Sequence, residues 1–71
     1  MNNQTLYELV DEYIDRQSLT YVEFAKKIGV STPTIYGLQV RNPSLKTYHK
    51  LASELNIDVW DLRQYPIKRD K

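Results

Sequence analysis

Apolar side chains recur at spacings of three and four residues along most of this chain, and this period constrains its fold more than any other feature. The pattern is clearest from Leu6 to Gln17 and from Leu45 to Leu55. Because residues at such spacings share one face of an α-helix, both stretches are predicted to be amphipathic helices. No alternating strand pattern competes with them, so we expect an all-α fold.

A capping box marks the start of a second helix, and a glycine marks its end. Thr20 and Glu23 have the spacing in which each residue bonds the other's backbone N–H, and Gly29 suits the left-handed residue that ends a helix. Val30 is expected to enter the core after this turn. The apolar positions of the helix are Val22, Phe24, Ala25 and Ile28.

N-cap residues predict two further short helices. Ser31 caps a third helix, expected from about Thr32 to Gln39, and Asp58 caps a fifth helix that Pro66 ends. Between them, the Asn42-Pro43-Ser44 stretch breaks the chain before the fourth helix, because a residue that precedes proline avoids helical angles. The chain is therefore predicted to form five short helices.

The length of 71 residues and the absence of cysteine predict one domain that packing alone holds together. We expect a core over about residues 5–64 and a basic C-terminal tail over residues 65–71. The composition, with 41% hydrophobic and 27% charged residues, is that of a soluble globular protein. Since no long apolar run or signal-peptide pattern is present, a cytoplasmic location without membrane contact is expected.

Charged side chains are unevenly distributed, although the formal net charge is only +1. The first helix is acidic, the middle of the chain is basic, and Lys68, Arg69 and Lys71 make the tail basic. Solvated helix faces produce similar patterns, so charge alone is weak evidence for a nucleic-acid partner. The acidic residues are Glu8, Asp11, Glu12 and Asp15, and the basic ones are Lys26, Lys27, Arg41, Lys46 and Lys50.

No catalytic or metal-binding arrangement is evident. His49 is the only histidine and has no cysteine beside it as a second metal ligand, and the two glycines, Gly29 and Gly37, do not form a phosphate-binding loop. The acidic side chains are scattered over a solvated helix face. We therefore expect neither enzyme activity nor a cofactor.

The stretch TYVEFAKKIGVSTPTIYGL resembles the helix-turn-helix of the phage-repressor and Cro-like family (lambda-repressor-like, XRE-type). The stretch RNPSLKTYHKLASELNIDVWDL resembles the fourth and fifth helices of that family, so the resemblance spans about Leu6 to Leu62. It implies a compact five-helix DNA-binding domain with the helix-turn-helix at helices 2 and 3. Its most diagnostic residues are Ala25, Gly29, Val30, Ser31, Ile35, Leu38, Asn42, Pro43 and Ser44.

The resemblance implies a sequence-specific double-stranded DNA-binding transcriptional regulator whose third helix enters the major groove. None of the main base-facing side chains makes the bidentate contacts of Arg, Asn or Gln, but Thr32, Pro33 and Tyr36 suit thymine methyl groups. We therefore expect a T-rich or shape-defined site, with Gly37 allowing close approach. The main base-facing positions are Thr32, Pro33, Tyr36, Gly37 and Val40. Polar contacts with bases are expected from Tyr36 and, at the edges of this surface, from Thr34 and Gln39.

The same resemblance implies phosphate contacts from the start of helix 2, the loop after helix 3 and the start of helix 4. Lys26 and Lys27 are alternative phosphate contacts, although lysines at a helix C-terminus also favour the helix dipole. The matching positions are Thr20, Tyr21, Arg41, Asn42, Ser44 and Lys46.

The chain departs from the family pattern at two further points. Tyr21 stands where family members often have a Gln that bonds a phosphate and braces the recognition helix. The loop before Asn42 lacks the usual Gly and looks about two residues shorter.

The resemblance also implies a homodimer on a pseudo-palindromic operator. Trp60 is either a lid over the core or part of a subunit interface. Two alternatives remain open: a helix-turn-helix fold kept for protein–protein interaction, and an antitoxin-like DNA-binding subunit with a protein partner.

Overall fold

Five α-helices and one short 3₁₀ turn follow one another in a computed structural model that describes residues 4–68, and no strand occurs among them. The all-α, five-helix expectation is confirmed. The 3₁₀ turn covers Gly37–Gln39. The helices are α1 (Leu6–Arg16), α2 (Tyr21–Ile28), α3 (Thr32–Tyr36), α4 (Leu45–Leu55) and α5 (Val59–Leu62).

Reciprocal caps begin the first two helices. The Thr20–Glu23 capping box predicted for α2 is confirmed, and α1 has a second one in which Thr5 Oγ1 accepts from the Glu8 N–H and the Glu8 carboxylate accepts from the Thr5 N–H. Each box satisfies two backbone donors that a helix N-terminus leaves free.

The turn from α2 to α3 depends on a left-handed residue. Gly29 has φ 77°, and the chain then reverses so that the Val30 N–H donates to the carbonyl of Ala25 at 2.9 Å. Lys50 Nζ donates to the Gly29 carbonyl at 2.9 Å, which ties this turn to α4. The predicted helix end at Gly29 is confirmed, and Val30 packs half-buried against the core.

The third helix is shorter than expected. Its α-helical part ends at Tyr36, and residues Gly37–Gln39 tighten into the 3₁₀ turn, where the N–H groups of Val40 and Arg41 both donate to the Gly37 carbonyl. Ser31 occupies the N-cap position as predicted, but its hydroxyl bonds the Thr34 hydroxyl at 2.8 Å and no backbone N–H.

One hydrophobic core joins all five helices. Two apolar positions predicted for it are wrong, since Val22 is 51% and Leu45 is 55% exposed. Val22 lies about 200° around α2 from the buried Phe24 at 100° per residue, and Leu45 is the first residue of α4. The buried apolar side chains are Leu6, Val10, Ile14, Phe24, Ala25, Ile35, Leu38, Tyr48, Leu51, Ala52 and Leu62.

The chain after α5 folds back onto α1. The Leu6 N–H donates to the Pro66 carbonyl at 2.9 Å, and Tyr65 and Ile67 pack against the core. The core therefore extends beyond the expected limit at residue 64. Arg69 and Lys71, which supply most of the tail's positive charge, lie outside the described residues.

The helices within residues 4–68 have at most 11 residues, so none of them is long enough to cross a lipid bilayer.

A polar contact joins three helices at the core's edge. The Tyr13 hydroxyl of α1 donates to Glu54 Oε2 of α4 at 2.8 Å, and Lys27 Nζ of α2 lies 3.0 Å from the same oxygen. The hydrogen bonds from Tyr13 and Lys27 lower the pKa of Glu54 below its usual 4.5. Lys27 thus links α2 to α4, in addition to the dipole role expected of it.

Replacing Glu54 by Gln should lower the free energy of unfolding at pH 7 by about 1 kcal/mol, the order of one typical intramolecular hydrogen bond. Because the pKa of Glu54 is lowered in the folded state, its contribution is present above pH 4.5 and is lost as the pH falls through the folded-state pKa. Urea unfolding at pH 7 and at pH 3 measures both effects.

Glu12→Gln is the control, because Glu12 makes only exposed contacts among residues 4–68: an ion pair at 3.7 Å with Arg16, in which both side chains are more than half exposed, and a hydrogen bond at 3.2 Å from Gln4 Nε2. Exposed ion pairs of this kind contribute little to the free energy of unfolding. A Glu54→Gln loss no larger than that of Glu12→Gln would contradict the role assigned to this contact.

Candidate nucleic-acid interface

The outer face of α3 and its 3₁₀ extension is exposed and apolar. Ile35 and Leu38 are buried, so the opposite side of this segment faces away from the core. Pro33, Tyr36 and Val40 follow at spacings of three and four, and Tyr36 and Val40 are 51% and 61% exposed. This surface offers ring and methyl contacts and few hydrogen-bonding groups.

The other residues expected to face bases lie around this surface. Thr32, Thr34 and Gly37 are half-buried, and the Thr34 hydroxyl pairs with that of Ser31. Gln39 is exposed at the end of the 3₁₀ turn and is the longest hydrogen-bonding side chain available there.

An open groove of about 400 Å³ separates α3 from the start of α4. It brings three of the expected base-facing residues next to three of the expected phosphate contacts. Its lining is Ser31, Pro33, Thr34, Gly37, Leu38, Arg41, Asn42, Pro43, Ser44 and Thr47.

Arg41 supplies the positive charge of this groove. Its guanidinium lies against Gly37, where an added Cβ would be 3.4 Å from Arg41 Nε. Neither Arg41 nor Lys46, in the first turn of α4, has an ion-pair partner among residues 4–68. Both charges are exposed and are available to an anionic ligand.

Asn42 and Ser44 are partly engaged within the fold. Asn42 Oδ1 accepts from the Tyr48 hydroxyl at 3.1 Å, which leaves the amide NH₂ as the donor for a ligand. The Ser44 hydroxyl accepts from the Thr47 N–H and donates to Thr47 Oγ1, so it mainly caps α4.

Thr20, Tyr21 and Lys46, the other three expected phosphate contacts, do not line this groove. Thr20 Oγ1 is occupied by the Glu23 N–H, and the Tyr21 hydroxyl donates to the Asp11 carboxylate. Burial, followed by the hydrogen bonds with Asp11 and Tyr7, raises the pKa of Tyr21. The carboxylates of Asp11 and Glu23 make this end of α2 unfavourable for a phosphate.

Tyr21 instead contacts α3 through its ring. The Tyr21 and Tyr36 rings stack with centroids 4.9 Å apart and an interplanar angle of 23°, and Tyr7 meets Tyr21 at 6.1 Å and 54°. These three rings, here called the tyrosine ladder, join α1, α2 and α3. The sequence identified Tyr21 as an expected phosphate contact and a departure from the Gln of the family that the chain resembles, and no signal in it identified ring stacking.

Other candidate residues take structural or surface positions. Lys50 is committed to the Gly29 carbonyl, and Lys26 and His49 are exposed. Trp60 is 65% exposed and carries the Arg63 guanidinium 5.4 Å from its ring centroid, so it does not form a lid over the core. The described part of the chain contains no group of three or more potential metal ligands.

Comparisons with protein-family models, with curated proteins and with solved structures find no match for this chain. The geometry of α3 and the charges beside it are therefore the basis for assigning a function.

The two glycines of this region should respond oppositely to alanine. Gly37 has φ −65°, which alanine also adopts without strain. Because alanine reduces the conformational entropy of the unfolded chain, Gly37→Ala should raise the free energy of unfolding by about 0.4–1 kcal/mol. Gly29 has φ 77°, so Gly29→Ala should lower it by about 1 kcal/mol or more. Urea unfolding of both variants measures the difference, and a larger loss at Gly37 would contradict the assigned geometry.

Proposed function

We propose that this chain is a sequence-specific double-stranded DNA-binding transcriptional regulator of the lambda-repressor-like, helix-turn-helix kind, with α3 as the recognition helix in the major groove. One observation carries the proposal: the exposed face of α3 borders a groove whose other wall carries Arg41 and Asn42. A base-reading surface beside phosphate-binding side chains is what a recognition helix requires.

The charges flanking α3 support one direction of docking. Arg41 and Lys46 lie on the side of α4, and Asp11 lies behind Tyr21 on the side of α1. The basic side follows the phosphates of one strand, and the acidic side is held away from the duplex. Tyr21 then braces α3 and makes no phosphate contact, so Arg41, Asn42 and Lys46 supply most of the affinity.

A recognition helix of five residues, extended by one 3₁₀ turn, reads only a few base pairs. Specific regulation therefore needs two half-sites, and we propose that the protein binds a pseudo-palindromic operator as a twofold homodimer, with half-sites about one helical turn apart. If each subunit neutralises two or three phosphates, log affinity should fall against log salt with a slope of about −4 to −5.

Replacing Arg41 and Lys46 together by Ala should weaken binding to a selected operator at least about tenfold, since two charge-assisted contacts are lost in each subunit. The salt slope should become shallower by about 3 to 4 for a dimer. Fluorescence anisotropy with labelled duplex at several salt concentrations measures both quantities.

Arg16→Ala with Lys68→Ala is the matched control, because it removes the same charge from residues that are assigned no phosphate contact. It should shift affinity and slope far less. Equal effects of the two double variants would contradict the assigned phosphate contacts.

The apolar exposure of Tyr36 and Val40 favours protein–protein interaction as a second candidate. In that case the Arg41 and Lys46 replacements would leave partner binding nearly intact, and the wild-type protein would not retain duplex DNA. An antitoxin-like subunit would retain duplex DNA and bind a protein partner as well.

A further inference from the structure

We propose that Tyr36 reads the 5-methyl group of a thymine in each half-site and that Tyr21 is the positioning residue that holds the Tyr36 ring for this contact. This inference rests on the proposed DNA-binding function and specifies which base feature the α3 surface recognises.

The chemistry of the exposed surface selects the target. Pro33, Tyr36 and Val40 present rings and methyl groups, and none of them makes a bidentate hydrogen bond to a base edge. In the major groove, the thymine 5-methyl is the base-edge group that apolar side chains contact. Tyr36 is the largest of the three and projects from the middle of the segment formed by α3 and its 3₁₀ turn.

The tyrosine ladder fixes where that ring lies. Tyr21 covers one face of Tyr36 at a centroid distance of 4.9 Å, while half of the Tyr36 side chain stays exposed. A ring with one face packed keeps the other face and its edges for a ligand. Because its position is set before binding, the contact does not require ordering of a mobile side chain.

Tyr21 is itself held from two sides. Its hydroxyl donates to the Asp11 carboxylate, and its ring meets that of Tyr7, so both anchors lie on α1. The orientation of Tyr36 is thus set by a helix outside the α2–α3 unit. Loss of the Tyr21 ring leaves Tyr36 without its stacking partner. Loss of the Tyr21 hydroxyl alone retains the stacked ring.

The test uses an operator selected by the wild-type protein, in which each thymine is replaced by deoxyuridine, one symmetric pair of positions at a time. Deoxyuridine lacks the 5-methyl group and keeps every hydrogen-bonding group of thymine. Burial of one methyl predicts a loss of about fourfold in affinity per half-site at the position that Tyr36 contacts.

Three variants assign the effect to residues. Tyr36→Ala should bind the thymine and deoxyuridine operators equally at that position. Tyr21→Leu should bring the thymine-to-deoxyuridine ratio close to one, and Tyr21→Phe, which retains the stacked ring, should keep the wild-type ratio. A merely structural role of Tyr21 would lower affinity for both operators alike and leave the ratio unchanged.

The wild-type measurement decides the matter even where Tyr21→Leu fails to fold. Specific binding that no deoxyuridine replacement weakens would overturn this inference and leave the proposed function standing, as would an unchanged ratio in Tyr36→Ala. Failure of the wild-type protein to select any duplex would refute the proposed function itself.

Discussion

The third helix is too short to be stable by itself, and the exposed surface around it depends on how it is anchored. With five residues it is far shorter than a helix that is stable alone. Ile35 and Leu38 secure its inner side in the core, and the stack of Tyr36 on Tyr21 secures its outer side. Gly29 and Lys50 fix the turn from which it starts. The exposed surface of α3 is thus held by contacts on both sides of the helix, although the helix itself has only five residues.

This anchoring separates charge across the molecule. The contact that holds Tyr21 uses a carboxylate of α1, so the negative charge of Asp11 lies on one side of α3. The loop that closes α3 with a 3₁₀ turn brings the Arg41 guanidinium against Gly37 on the other side. A polyanion that contacts α3 meets attraction on the α4 side and repulsion on the α1 side.

Local signals in the sequence predicted the fold well. These signals act within a few residues: the apolar period, the Thr20–Glu23 capping box and Gly29. The structure confirms the helices whose limits they predicted. The sequence did not predict contacts between distant residues: Tyr21 and Tyr36 are fifteen positions apart, and Tyr13, Lys27 and Glu54 come from three helices. Val22 and Leu45 were misassigned because apolar character does not reveal which end or side of a helix leaves the core. Arg41, Asn42 and Ser44 line one groove with α3, whereas Lys46 lies outside its lining and Thr20 and Tyr21 are engaged with neighbouring side chains.

The central claim is that the face of α3 recognises a DNA sequence. The most direct measurement is selection of duplexes from a randomised library by the pure protein at low and at near-physiological salt. We expect enrichment of one palindromic motif at both salt concentrations, because base contacts persist when phosphate attraction is screened. Retention at low salt without any motif, or no retention at all, would contradict it.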